Sequence, residues 1–501
     1  MTLLKKNITA NFAGNIGQAL MAVVFVPLYI KFMGVEAYGL IGIFVTLLAM
    51  FSILDMGMSS TLNREMARLS VLPGREQEMR NLVRSLEFPY WLLAILVGIA
   101  VMALSPLIAN HWIKAGQLPP KIIEGAVFIM GFSVALQMPA SLYSGGLLGL
   151  QKQVLLNVIQ VSVSTIRGIG AVLILWLISP TIQAFFLWQV FISSVNTGLL
   201  GFFLWHRLPR SENRATFKKQ LLVGIWRFAA GMGGIAILST ILTQLDKIIL
   251  SKMLPLEIFG YYTLAGVVAM SLYRLVSPVF SAIYPRFTQL VSLGDQDGLK
   301  QLYHKSSQFL SVLIFPVTLV VAMFSYDILL IWTQNPTTAE KSHLLVTVLI
   351  CGTALHGLMH VPYALQLANG WTKLTLYTNF VAVLVLGPII VYLANRYGAL
   401  GGASAWVVLN CGYFLVIIHF MHKRLLPHEK WRWYLQDVCF PLAASLTVAG
   451  LSRKLIGSQQ SQLMTVLYLL VVSISTLMIT ALATRTTRVW LLDKLLSIKS
   501  A

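Results

Sequence analysis

Residues 244–260 read QLDKIILSKMLPLEIFG, an apolar helical pattern that holds an acid and a base, Asp246 and Lys247, and then breaks at a turn. That turn has a counterpart near the N-terminus, where GVEAYG at 34–39 answers PLEIFG at 255–260. Glu36 and Glu257, like Gly39 and Gly260, lie 221 residues apart. Gly149 and Lys152 match Gly370 and Lys373 at the same offset, so the chain reads as two related halves.

The composition excludes a water-soluble domain. Hydrophobic residues make up 57% and charged residues 11% of the 501 positions, and the mean hydropathy is +0.77, whereas soluble domains carry about a quarter charged residues. Apolar runs long enough to cross a bilayer fall near 8–31, 38–58, 85–107, 122–145, 154–178, 181–205, 228–251, 258–284, 306–332, 343–367, 374–395, 399–422, 436–453 and 463–483. The first is too long for the core of a signal peptide and is expected to remain as a span. The expected fold is therefore an all-α polytopic membrane protein of about fourteen transmembrane helices. Six spans per half give both halves one orientation, related by a pseudo-two-fold along the membrane normal. This divides the chain into an N-terminal bundle (1–206), a cytoplasmic linker (207–227), a C-terminal bundle (228–422), two additional helices (436–483) and a basic tail (484–501).

The net charge of +20 resides in short loops between apolar runs, which is the positive-inside pattern and not a nucleic-acid surface. Placing both termini in the cytoplasm puts 25 of the 37 Lys and Arg inside and eight outside. The other four, Arg167, Arg227, Lys247 and Arg274, lie within or at the ends of spans, where an ionisable group needs a partner or water. Cys351, Cys411 and Cys439 follow no metal or redox spacing and read as buried small hydrophobes. Asp437, Arg453 and Lys454 read as ordinary interfacial charges near the ends of the last two spans.

Several spans gather polar residues at helical spacing, as expected where a helix lines a wet cavity. Span 1 has Asn7, Asn11, Asn15 and Gln18; span 2 has Ser52, Asp55 and Ser59; span 4 has Gln137, Ser141 and Ser144. Span 5 sets Asn157, Gln160, Ser164 and Arg167 on one face, with Arg167 near its middle. A guanidinium there cannot snorkel far and calls for an anion or water. Arg274 on span 8 is the second such base, and Lys247 lies closer to the outer surface. Asp246 is not expected to pair with Lys247, because neighbours on a helix point about 100° apart. Asp55 is a deep carboxylate, suited either to carrying a coupling proton or sodium or to pairing with an arginine. His356 and His360 stand at i, i+4, but no HExxH motif or acidic third ligand accompanies them, so no metal site is implied.

The stretch PLYIKFMGVEAYGL, then LDMG at 54–57 and the RExAR pattern of Arg64 to Arg68, resembles the bacterial polysaccharide transporters that include O-antigen flippases. LDKIILSK with FGYY at 245–262 is similar to the second-half signature of the same family, and the likeness covers spans 1 to 12. The family lies in the multidrug/oligosaccharidyl-lipid/polysaccharide exporter superfamily. The resemblance implies two six-span bundles around a basic cavity in alternating access, in the cytoplasmic membrane. The implied cargo is an undecaprenyl-diphosphate-linked oligosaccharide, moved from the inner to the outer leaflet. Membrane lipids are its surroundings, and a polysaccharide polymerase or chain-length regulator is a further implied partner.

On this reading Arg167, Arg274, Asn11, Asn15, Gln18, Gln160 and Lys247 bind cargo. Asp55, Asp246, His356 and His360 serve ion coupling or gating, with H+ or Na+ in place of any cofactor. A cation-coupled drug antiporter of the same superfamily would want more acids than bases in its spans. A membrane glycosyltransferase or polymerase would want acidic motifs on a sizeable outer loop, and every outer loop is short.

Overall fold

The computed structural model describes residues 23–371, 373–455, 461–484 and 487–489, with positions 14, 17, 18, 20 and 21, and the side chains of all these except 224–236. The described secondary structure is helical, and the chain is a multi-pass membrane protein. Eleven helices among the described residues are long and apolar enough to cross a bilayer. Two of them contain a glycine at positive φ, Gly34 (82°) and Gly398 (58°), where one continuous helical stretch changes direction. Those two turns separate runs that hydropathy alone counts as four spans. The chain divides into two compact units, Met1–Gly260 and Tyr261–Ala501.

The first unit contains α1 (Val26–Phe51), α2 (Met58–Leu69), α3 (Glu76–Leu107), α4 (Pro120–Gly149), α5 (Gln153–Leu177), α6 (Ile182–Arg207) and α7 (Lys219–Met253). α8 (Leu256–Ser271) starts within it, at the second of the repeated turns, and continues past residue 260. The core of the unit is built from Leu62, Met66, Leu82, Leu86, Leu142, Leu147, Leu200 and Leu204, all essentially inaccessible. Outward-facing positions are apolar as well, for example Leu96, Ile99, Phe191 and Phe202, as lipid contact requires. The same rule corrects the reading of the cysteines: Cys411 and Cys439 are exposed, and only Cys351 is partly buried. An apolar side chain in a membrane protein has no need of the interior.

Residues 208–218 cross from α6 to α7 as a strap pinned to the first turns of α3. Asn81 Oδ1 accepts the Thr216 amide at 2.8 Å, Ser85 Oγ accepts the Lys218 amide at 2.8 Å, and Gln77 Nε2 donates to the Arg214 carbonyl at 3.1 Å. Gln77, Asn81 and Ser85 recur at i, i+4 and i+8, so one helix face supplies all three bonds.

The repeated turns meet each other. Gly39 lies against the Leu256 carbonyl, and Gly260 against the Val35 carbonyl. Val35 and Leu256 are themselves 221 residues apart, so the two contacts exchange under the repeat, as in any self-complementary two-fold contact. A β-carbon at Gly39 would lie 2.5 Å from that carbonyl oxygen, which explains the glycine at both places. Glu36, buried beside this crossing, accepts the amides of Gly116 (2.6 Å) and Gln117 (2.9 Å), while Leu256 donates to the Lys114 carbonyl (2.8 Å). The 112–117 segment thereby ties both repeated turns together.

The second sequence match is displaced in the structure. The helix-ending bond from Lys152 N to Leu147 O recurs as Trp371 N to Gln366 O, with Gln151 and Gly370 as the left-handed residues. Those pairs are 219 residues apart, so Gly149 and Gly370 are not equivalent. The motif that stops both helices is shared, and the sequence letters slid by two.

The second unit holds α9 (Tyr273–Leu293), α10 (Gln296–Met323), α11 (Ser325–Thr333), α12 (Pro336–Leu358), α13 (His360–Ala368), α14 (Lys373–Gly412), α15 (Ile418–Leu425), α16 (Phe440–Leu455) and α17 (Gln462–Ala483). The last two pack on α10, where Val320, Phe324 and Val472 form a small core. Arg453 is an ion-pair partner of Asp327 at 2.7 Å and lies over the Phe324 ring, so it anchors the added pair instead of standing free at the interface.

Replacing Gly39 or Gly260 by alanine is expected to destabilise the protein by about 1–3 kcal/mol through overpacking. Gly266→Ala, where nothing lies within 4 Å of the added atom, is the control. Thermal unfolding of the purified variants in detergent measures the difference.

Candidate functional site

Arg167 projects from α5 into a setting of neutral polar and aromatic groups. Its Nη1 donates to Gln189 Oε1 at 3.3 Å, and the Trp188 indole donates to its carbonyl at 2.9 Å. Tyr29 is near enough to interact electrostatically with the guanidinium and packs edge-on to Phe185 at 5.1 Å. Among the described residues no carboxylate pairs with Arg167. A guanidinium carries five donors, so among the described residues most of its hydrogen-bonding capacity is uncommitted. Gln160, one face-repeat earlier, and Gln18 are partly buried, while Asn11 and Asn15 lie outside the described residues.

Asp55 closes a 3-10 turn (Ser52–Asp55) after α1, followed by Met56 and Gly57 in the left-handed region. Its carboxylate accepts the Ser59 hydroxyl at 2.9 Å and the Ser59 amide at 3.3 Å. It lines a pocket of about 340 Å³ with Ser59, Tyr90, Gln137 and Ser141. The polar stripes of spans 2 and 4 therefore converge on one place. Tyr90 Oη and Gln137 Nε2 are buried there with no hydrogen-bond partner among the described residues. The pocket thus offers a carboxylate, a phenol and an amide to whatever enters it.

Asp246 and Lys247 form an ion pair, with Nζ 3.2 Å from Oδ1, and Nζ also donates to the Thr243 carbonyl at 2.9 Å. This corrects the expectation from helix geometry. The two Cα–Cβ bonds diverge, but the four-carbon lysine stem swings its ammonium back across the gap.

Arg274 is exposed on α9, with no partner among the described residues. His356 Nδ1 is bonded to Tyr273 Oη at 2.8 Å, and His360 Nδ1 faces the carbonyls of His356 and Gly357 at 3.2 Å each. Both imidazoles sit in an aromatic cluster with Phe280 and Trp406. This cluster belongs to the second unit and the carboxylate pocket to the first.

Sequence reasoning missed a buried charge cluster in the second unit. His304 Nδ1 is 2.5 Å from Asp437 Oδ2 and its Nε2 is 3.0 Å from Glu429 Oε2, while Gln308 donates to Asp437 Oδ1 at 2.9 Å. Asp437 is 0% exposed, enclosed by protein and not a free surface charge. A π-helical turn at Trp433–Cys439 widens the backbone and turns this carboxylate inward. Partial burial pushes the Glu429 carboxyl up, but His304 and Arg432 more than reverse this and leave it below the usual glutamate range. The signal available in the sequence was an acid inside span 13, which cannot snorkel as a long base can.

His304→Ala would leave the buried Asp437 carboxyl without its imidazole partner and is expected to cost about 1–3 kcal/mol, read as a lowered unfolding temperature. Because the folded carboxyl of Glu429 is depressed, its contribution is complete above the ordinary glutamate pKa and fades as pH falls through the lowered value. Acidification should therefore lower the unfolding temperature more in wild type than in Glu429→Gln.

The comparisons with known proteins agree with this architecture. The family model described as polysaccharide biosynthesis protein matches residues 4–291, more than half of the chain, and the MatE model matches residues 233–393. A protein of Shigella flexneri named "Putative O-antigen transporter" is 21% identical over 407 residues, 80% of this chain and 94% of that protein. The amylovoran biosynthesis protein AmsL of Erwinia amylovora is 24% identical over 333 residues, 64% of this chain and 81% of that one. The solved structure of the lipid II flippase MurJ in an inward closed conformation superposes with a TM-score of 0.72, at 15% identity, over 95% of this chain and 97% of that one. The MATE multidrug transporter DinF-BH does so at 0.61 and 16% identity, over 84% and 95%. The chain thus shares the helical fold of these solved structures.

Proposed function

The chain belongs to the polysaccharide biosynthesis protein family, and on that premise we propose that it is a flippase for an undecaprenyl-diphosphate-linked oligosaccharide. It moves this cargo from the cytoplasmic to the outer leaflet of the bacterial inner membrane by alternating access, driven by an ion gradient, with both termini cytoplasmic. A hydrophilic glycan on a diphosphate cannot cross hydrocarbon unaided. The observation that carries the reading is Arg167, a base at membrane depth held by a neutral amide with donors to spare. Arginine suits phosphate through its planar fork of N–H groups. The relative named for O-antigen transport, aligned over nearly its whole length, supports the cargo class. The excess of Lys and Arg in alternate loops supports the orientation. Asp55, in its polar pocket, is the residue proposed to take up the coupling proton or sodium. A polymerase or chain-length regulator would act on the product at the outer face.

Arg167→Ala is expected to remove a charge-assisted bond of about 1.5–3 kcal/mol, roughly a ten- to hundredfold loss of translocation. The variant should still reach the membrane, and wild-type surface polysaccharide from it would sink the assignment. Asp55→Asn is expected to make uptake of lipid-linked glycan into proteoliposomes indifferent to an imposed proton or sodium gradient. Retained gradient dependence would remove Asp55 from coupling.

A further inference from the structure

α9 carries two unlike faces. Val276, Ile283, Phe287 and Leu290 are buried, while Arg274, Ser277, Ser281, Tyr284 and Thr288 are exposed and recur every three or four residues, so they share one side of the helix. Arg274, Ser277 and Ser281 have no side-chain partner among the described residues. Hydrocarbon satisfies neither a guanidinium nor a row of hydroxyls, so this face needs water or a polar ligand.

Its shoulder is aromatic. The Phe280 ring lies nearly parallel to Tyr284 (5°) and to Tyr363 of α13 (18°), each at 6.0 Å between centroids. The ladder is fixed from behind, where Phe280 meets His360 edge-on and Tyr273, bonded to His356, leans on both imidazoles. Tyr284, at the free end, is 37% exposed. An aromatic face is electron-rich and attracts polarised C–H edges, and a pyranose presents C–H groups on one side and hydroxyls around its rim. Along α9, Arg274 and Tyr284 are about 15 Å apart, with Ser277 and Ser281 between them.

We propose that this face is a sugar subsite: Tyr284, backed by Phe280 and Tyr363, stacks a pyranose ring, Ser277 and Ser281 bond its hydroxyls, and Arg274 holds the adjoining phosphate. The assignment rests on the flippase reading and deepens it, since it gives the second unit recognition of the glycan itself. One occupant accounts for base, hydroxyls and rings together, which a bare phosphate or an acyl chain does not.

The test is binding to the full-length protein in nanodiscs, with two probes: undecaprenyl diphosphate, and undecaprenyl diphosphate bearing one N-acetylglucosamine. Wild type is expected to bind the sugar-bearing probe about two- to tenfold more tightly. Tyr284→Leu should abolish that increment and leave the bare diphosphate unaffected, while Tyr284→Phe keeps it and Arg274→Ala weakens both probes. Equal binding of the two probes by wild type, or equal losses on both in Tyr284→Leu, would overturn the subsite. Failure of wild type to bind either probe would instead overturn the flippase reading. Tyr284 is partly exposed, and an unchanged unfolding temperature in both variants separates lost stacking from lost fold.

Discussion

A charge inside a bilayer has to be paired, hydrogen-bonded or wetted, and most of the polar architecture follows from that requirement. Glu36 is answered by two backbone amides, Asp246 by Lys247, Asp327 by Arg453, Asp437 by His304 and Gln308, and Asp55 by Ser59. Against this background the two arginines differ. Arg167 has a neutral amide and Arg274 has no partner among the described residues. Bases with donors uncommitted among the described residues would suit, on the proposed function, a cargo that brings its own negative charge.

The same economy shapes the backbone. Gly39 and Gly260 let the two repeated turns cross at carbonyl contact, and the 112–117 segment closes over them through Glu36 and Leu256. A repeat that binds its own copy needs only one surface to be right. Duplication of a turn able to pack against itself therefore yields a specific contact without a second invention. The strap at 208–218, bonded to Gln77, Asn81 and Ser85, adds a fixed path into α7.

What the sequence disclosed was periodicity and composition. The spans, the positive-inside bias, the GVEAYG and PLEIFG pair and the stripes of spans 2 and 4 are all one-dimensional signals. The stripes converge on the Asp55 pocket because residues at i, i+3 and i+4 share a face whatever the tertiary structure. What stayed hidden depended on departures from the ideal helix or on side-chain reach. Lys247 pairs with its neighbour through a flexible stem, and Asp437 turns inward on a π-helical turn. Gln151 and Gly370 show that two helices end alike at a shifted register. None of these leaves a mark in hydropathy, and the His304 cluster joins residues 125 and 133 positions apart.

The separation of acid from base within the first unit has a physical reason. Asp55 lies in a pocket bounded by α1 to α4, and Arg167 is bonded to Gln189 and, through its carbonyl, to Trp188. Were they 4 Å apart, their attraction at an effective dielectric near 20 would be about 4 kcal/mol. An ion pair of that strength would compete with any phosphate for the arginine and with any cation for the carboxylate. Kept apart, each remains available, and the two are linked only through the conformation of the helices that carry them. On the proposed function, coupling would require no contact between ion and cargo: each would need only to bind one conformation better than the other.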